Sequence, residues 1–137
     1  MPPRILVVDD NEDYLAGISE LLKMRGYEPL LARTFGEGQR ALREDAPDLL
    51  IADVRLGPFN GLQLIATGQV RIPTIVVSGF DDPVLQADAK AFGADYLVKP
   101  IETADLLALI DKRLAAGEHS GASAPPNLDA GDRASSC

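Results

Sequence analysis

The chain has 137 residues, 46% of them hydrophobic and 25% charged, and a formal net charge of −8. That length buries one sizeable core but not two, and the negative balance lacks the electrostatic footprint of a nucleic-acid binder and is repelled by anionic membranes. Its one cysteine, Cys137, excludes an internal disulfide framework or zinc cluster, and with no membrane-length apolar run and no signal-peptide core a cytoplasmic location is expected.

Ile5-Leu6-Val7-Val8 reads as a buried strand, and Asp9-Asp10 follow it at once. An alternating pattern would leave one face wet, whereas a continuous run suits a parallel strand covered on both faces. Asn11-Glu12-Asp13 opens a helix with Leu15, Ile18, Leu21 and Leu22 on one face, and Gly26 supplies its left-handed stop. Residues 27–32 form a weaker strand, interrupted by Pro29 and therefore placed at a sheet edge. Thr34 and Glu37 have capping-box spacing, so a second helix is expected over about 35–46, with Pro47 behind it.

Leu49-Leu50-Ile51-Ala52 is the central strand and ends in Asp53. Gly57-Pro58-Phe59-Asn60-Gly61 reads as loop. A helix over about 62–68 must be brief, because Pro73 already precedes the strand Thr74-Ile75-Val76-Val77, which Ser78-Gly79 end. Asp82-Pro83 is a cap with proline in the first helical position, and that helix runs to Phe92 and stops at Gly93. Tyr96-Leu97-Val98 is the last strand, followed by Lys99-Pro100. A final helix over about 103–115 has Leu106, Leu107, Ile110 and Leu114 as its apolar side. Beyond Gly117 large apolar residues nearly vanish, so one domain over 1–116 is expected, with 117–137 a disordered tail or linker. Strands alternate with helices five times. With right-handed crossovers this is an α/β fold, a doubly wound five-stranded parallel sheet with helices on both faces.

Ligands of open α/β sheets sit beyond the carboxyl ends of the strands. Here those ends carry Asp9 and Asp10, Asp53, Ser78, and Lys99. Singly, each has an ordinary role as turn former, helix cap or solvated charge. A purely structural chain, however, has no reason to gather acids, a hydroxyl and an ammonium on one edge. Carboxylates crowded there repel by about 3 kcal/mol per pair at 5 Å and an effective dielectric near 20. Magnesium is the fitting counter-charge, since it takes one or two carboxylates and shares its remaining positions with water and phosphate. The residues thus point to magnesium-assisted phosphoryl transfer with a carboxylate nucleophile.

Val7-Val8-Asp9-Asp10-Asn11, Ile51-Ala52-Asp53-Val54-Arg55-Leu56, Val77-Ser78-Gly79 and Tyr96-Leu97-Val98-Lys99-Pro100 resemble the receiver domain of two-component response regulators, in its stand-alone, chemotaxis-regulator-like form. The resemblance covers about residues 4–116 and implies a flavodoxin-like strand order 2-1-3-4-5. It implies that Asp53 accepts a phosphoryl group from a histidine kinase or phosphotransfer protein. It implies Mg2+ held by Asp10, Asp53 and the backbone carbonyl of Arg55, with Asp9 acting through a metal-bound water. Lys99 would hold a phosphoryl oxygen, Ser78 would swing toward the phosphorylated site, and Tyr96 would turn inward as the switch, against its plainer reading as a half-buried edge-strand aromatic. Pro100 would follow a cis bond, and Arg55 and Phe80 would tune phosphoryl lifetime. Such a protein catalyses its own phosphorylation and dephosphorylation rather than acting as a conventional enzyme.

The sequence departs from the family in its loop, where Gly57 precedes Pro58 and Asn60 stands where Asp is commoner, and in a short third helix. The rival readings are a degenerate receiver that only docks, a flavodoxin-like FMN carrier and a haloacid-dehalogenase-type phosphatase. The acidic loop after the first strand repels a cofactor phosphate, and Arg55 occupies the position where the phosphatase needs a second acid. No DNA-binding domain is legible, and His119 lacks the helix bundle of a phosphodonor. The downstream target is expected to be a protein, met through the fourth helix, fifth strand and fifth helix over about 82–115. The chain is expected to be a monomer or a phosphorylation-dependent dimer.

Overall fold

The computed structural model describes residues 2–56, 59–60, 62–64 and 72–123. One compact unit, Met1–Glu102, contains every strand among the described residues, and a second begins at Thr103. Strands β1 (Arg4–Val8), β2 (Glu28–Ala32), β3 (Leu49–Asp53), β6 (Thr74–Ser78) and β7 (Asp95–Val98) form a five-stranded sheet in the order β2-β1-β3-β6-β7. Counting these five alone, the order is the expected 2-1-3-4-5, and every pairing is parallel. Pro29 lies in β2 at the sheet edge, where its missing N–H costs no ladder bond to a further strand.

Side-chain parity explains the unbroken apolar strands. Leu6, Val8, Leu50 and Ala52 pack with Ala41 of α2 (Phe35–Glu44), while Val76 packs with Ala89 of α3 (Pro83–Ala91). The alternate residues Ile5, Val7, Leu49, Ile51, Ile75 and Val77 are equally dry. Helix α1 (Glu12–Met24) buries Leu15, Ile18 and Leu22, at the spacing its sequence predicted. Each such side chain contributes about 1.5–3 kcal/mol, which makes the sheet a stiff base for whatever stands at its rim. Gly38 sets how closely α2 approaches β1, since a Cβ there would lie 3.1 Å from Val8 Cγ2.

The helix ends follow the expected chemistry, with two refinements. Thr34 Oγ1 accepts from the Glu37 N–H at 3.1 Å, but Glu37 Oε1 reaches back to the N–H of Arg33 at 2.8 Å rather than to that of Thr34. Helix α2 stops at Glu44 instead of 46 because Ala46 adopts a left-handed conformation (φ 47°) immediately before Pro47. Gly26 and Gly93 have the positive φ of the predicted stops, 89° and 78°. Asp82 Oδ1 accepts from the Val84 N–H, with Pro83 opening α3.

Two expectations are corrected. The segment read as plain loop contains a small antiparallel hairpin, β4 (Arg55–Leu56) with β5 (Phe59–Asn60). Its pairs are Arg55↔Asn60 and Leu56↔Phe59. Helix α4 (Thr103–Ser123) continues past the predicted end at 115, into the stretch expected to be a disordered tail. Ala115, Ala116, Glu118 and Ala122 are good helix formers, and a glycine such as Gly117 costs a helix only about 1 kcal/mol. In α4, Leu106, Ile110 and Leu114 are buried and Leu107 half-buried. Leu62, Gln63 and Leu64 are helical, and the rest of the short helix expected over 62–68 lies outside the described residues, as do 124–137.

Candidate functional site

Register assembles the site. Val8 pairs with Ala52, so Asp9 and Asp53, the next residues of β1 and β3, emerge side by side. Asp53 pairs with Val77 and Ser78 with Val98, which brings Ser78 and then Lys99 onto the same rim. The ladders continue to the edge, with the Asp9 N–H donating to the Ala32 carbonyl at 3.0 Å and the Lys99 N–H to the Ser78 carbonyl at 2.7 Å.

Ligand atoms of Asp9, Asp10 and Asp53 lie within 4.8 Å of one another. Asp9 is 2% exposed, Asp53 half-buried and Asp10 exposed. Lys99 Nζ donates to Asp9 Oδ2 at 3.2 Å and lies 3.6 Å from Asp53 Oδ2. The remaining carboxylate oxygens take backbone donors: Asp9 Oδ1 accepts from the Asn11 N–H at 2.9 Å, and Asp53 Oδ1 from the Arg55 N–H at 3.2 Å.

Burial, then the neighbouring charge of Asp9, holds the Asp53 carboxyl above its usual range, and Lys99 only partly offsets this. Burial by itself would lower Lys99, but Asp53 and Asp9 outweigh it and hold the ammonium above its usual range. Asp53 is thus incompletely compensated while Lys99 is firmly charged.

Beside this cluster stands a second set of contacts centred on Phe80. Ser78 is 2% exposed, and its Oγ accepts from the Phe80 N–H at 3.0 Å. The Tyr96 hydroxyl donates to the Phe80 carbonyl at 2.7 Å, while its half-buried ring packs against the cluster of Val54, Leu62, Val76 and Ala89. The Arg55 guanidinium lies over the Phe80 ring, 4.4 Å from its centroid. The Lys99-Pro100 bond is cis, as the resemblance implied. Asp9, Asp10, Asp53, Ser78 and Lys99 therefore stand at one end of the sheet, while Tyr96 lies within β7 opposite Val76 and reaches toward that end through its hydroxyl.

One residue was missed. Tyr14 of α1 sits with its ring 4.8 Å from Lys99 Nζ. Burial holds its hydroxyl above the usual phenol range, Lys99 opposing and Asp9 and Asp53 adding to the rise. The available signal was its place in the first turn of a helix that starts at the rim, just behind Asn11, whose Oδ1 accepts from the Tyr14 N–H at 3.0 Å.

The family described as response regulator receiver domain matches residues 5–111. Protein PilH of Pseudomonas aeruginosa is 33% identical over 120 residues, covering 82% of this chain and 98% of that protein. Transcriptional regulatory protein PrrA of Mycobacterium tuberculosis is 33% identical over 114 residues, covering 79% of this chain but only 48% of PrrA, so the chain spans about half the length of that relative. Among solved structures, a CheY-like response regulator receiver domain protein from Methanospirillum hungatei superposes with a TM-score of 0.83 at 30% identity, over 88% of this chain and 100% of that one. A receiver domain protein from Clostridium thermocellum gives 0.80 at 28% identity, over 85% and 98%. With the sheet order, the rim and these matches in agreement, the chain belongs to the response regulator receiver family.

Proposed function

We propose that this receiver is the phosphoacceptor of a two-component phosphorelay, with Asp53 taking a phosphoryl group from a histidine kinase or phosphotransfer protein in the presence of Mg2+. One observation carries the reading. Among the described residues, three carboxylates cluster on a partly dry rim and the Lys99 ammonium meets two of them, Asp9 and Asp53, which leaves a surplus of negative charge. An all-carboxylate donor set carrying that surplus fits a hard divalent cation. Asp10, Asp53 and the Arg55 backbone carbonyl would hold it, with Asp9 acting through water. Bound there, the ion would offset charge on the phosphoryl oxygens.

The chain's own residues do the rest. An Asp53 oxygen attacks phosphorus in line, forming the P–O bond as the P–N bond to the donor histidine breaks, and the electron pair stays on the imidazole nitrogen. Its raised affinity for a proton makes Asp53 more nucleophilic than an ordinary aspartate, provided it stays ionised. Lys99 turns its ammonium to a phosphoryl oxygen. Ser78 exchanges the Phe80 N–H for another such oxygen, now donating its hydroxyl proton, and Tyr96 turns inward behind it. Arg55 stacked on Phe80 screens the site from in-line water and lengthens the life of the acyl phosphate.

The receiver module is assigned to about residues 1–116 and works in the cytoplasm. No helix among the described residues is long and apolar enough to cross a membrane. Its output is read by a protein, as a monomer or a dimer formed on phosphorylation. Phosphotransfer profiling against candidate kinases, with Asp53→Asn as control, tests the acceptor and names the upstream partner. Label on the wild type alone is expected, and equal label on both overturns the assignment. The rival reading, a receiver that only docks, requires that Mg2+ and a small-molecule phosphodonor leave the wild type unlabelled.

A further inference from the structure

Building on the phosphoacceptor reading, we propose that Tyr14 is a positioning residue whose aromatic face holds the Lys99 ammonium beside Asp9 and Asp53. Four contacts close into a circuit. Lys99 Nζ donates to Asp9 Oδ2 at 3.2 Å, and Asp9 Oδ1 accepts from the Asn11 N–H at 2.9 Å. Asn11 Oδ1 accepts from the Tyr14 N–H at 3.0 Å, and the Tyr14 ring returns to Lys99 at 4.8 Å. The first turn of α1 is thereby tied to the rim through the same two residues, Asp9 and Lys99, that flank the acceptor.

The chemistry explains why a ring suits this place. A lysine carries about 2 kcal/mol of rotamer entropy, so an ammonium that must meet a phosphoryl oxygen works better when its freedom is already reduced. A fourth carboxylate would restrain it but would also neutralise it and add to the surplus negative charge. An aliphatic side chain would fill space without attracting it. The face of an aromatic ring attracts the cation through its quadrupole and takes up no full hydrogen bond. One N–H of the ammonium is spent on Asp9, and its other donors remain for the phosphoryl group.

Initial rates of phosphoryl uptake from acetyl phosphate at saturating Mg2+ test this without a protein partner, so contacts of Tyr14 with a kinase do not enter. Tyr14→Phe keeps the ring and is expected within about twofold of wild type, whereas Tyr14→Leu keeps the bulk alone and is expected to be about fivefold slower. Rescue by phenylalanine separates attraction by the ring from simple packing. A second measurement needs no variant to fold: by NMR, the Lys99 ε-methylene protons of the wild type should be displaced upfield by the ring, and ordinary lysine shifts there overturn the proposal. So does Tyr14→Leu labelling as fast as wild type, or Tyr14→Phe as slow as Tyr14→Leu. A wild type that takes no label at all overturns the phosphoacceptor reading instead.

Discussion

Where the parallel strands begin, the Arg4 backbone N–H donates to Asp48 Oδ2 at 2.8 Å, and its guanidinium donates to the Asp45 carbonyl at 2.7 Å. Arg4 also lies 3.7 Å from Glu28, both side chains being more than a third exposed. Where the same strands end, Asp9 and Asp53 share Lys99 with Asp10 beside them, and the Asp9 side chain is only 3% exposed. Both edges bring acids and a cation together. At the first, water screens the charges and an arginine with many donors serves its acceptors. At the second, the Asp9 and Asp53 side chains are only 3% and 12% exposed, so water is partly shut out. The lesson is that charged residues at a sheet edge do not make a site; charge left uncompensated in a dry place does.

The sharpest way to break this contrast is to neutralise one acid at each edge. Asp53→Asn should reduce phosphoryl uptake from acetyl phosphate to background, and Asp48→Asn should leave it intact. The same pair separates the edges by stability. The folded chain holds the Asp53 proton more tightly than the unfolded chain. Its favourable contribution is therefore present below the ordinary carboxylate range and lost as pH rises through the raised folded value. Metal-free Asp53→Asn should accordingly melt above wild type at pH 7, with the gap closing as the solution is acidified through that range. A lower melting point for the variant at neutral pH would sink the claim of uncompensated charge.

Removing the shared cation comes next. Lys99→Ala should slow uptake on the order of a hundredfold, as loss of a charge-stabilising donor does. It should also cost about 2 kcal/mol in urea unfolding, because Asp9 keeps its charge and loses its ion pair. Added Mg2+ should narrow that deficit. A smaller effect is expected where the rim meets solvent: a variant with both Arg55→Ala and Phe80→Ala should lose its phosphoryl group about threefold faster than wild type. Faster loss from the wild type would refute the screening role. Smallest of all, Arg4→Ala should cost about 1 kcal/mol or less and leave labelling unchanged.

Much of this was legible because the signals are local. A continuous apolar run followed by Asp9, Asp53, Ser78 or Lys99 announces both a buried parallel strand and what stands at its end. Asn11, Thr34 and Asp82 announce their helices through bonds spanning two or three residues. What escaped depends on partners distant in sequence or on backbone geometry. Tyr14 looks like any residue of a helix first turn until Lys99 arrives beneath its ring from far along the chain. The Arg55–Leu56 and Phe59–Asn60 hairpin was hidden by a Gly-Pro pair that reads as loop. Ala46 takes a positive φ that its side chain does not advertise.

Phe80 reaches Ser78 and Tyr96 with its main chain only, giving its amide hydrogen to one and its carbonyl oxygen to the other. The residue is 53% exposed, and its phenyl ring is engaged separately with Arg55. The residue type at position 80 can therefore be exchanged without cutting either tether. On the proposed reading, how long the signal lasts and how it is passed on would run through different atoms of one residue, so that the first would be retimed while the second stays intact.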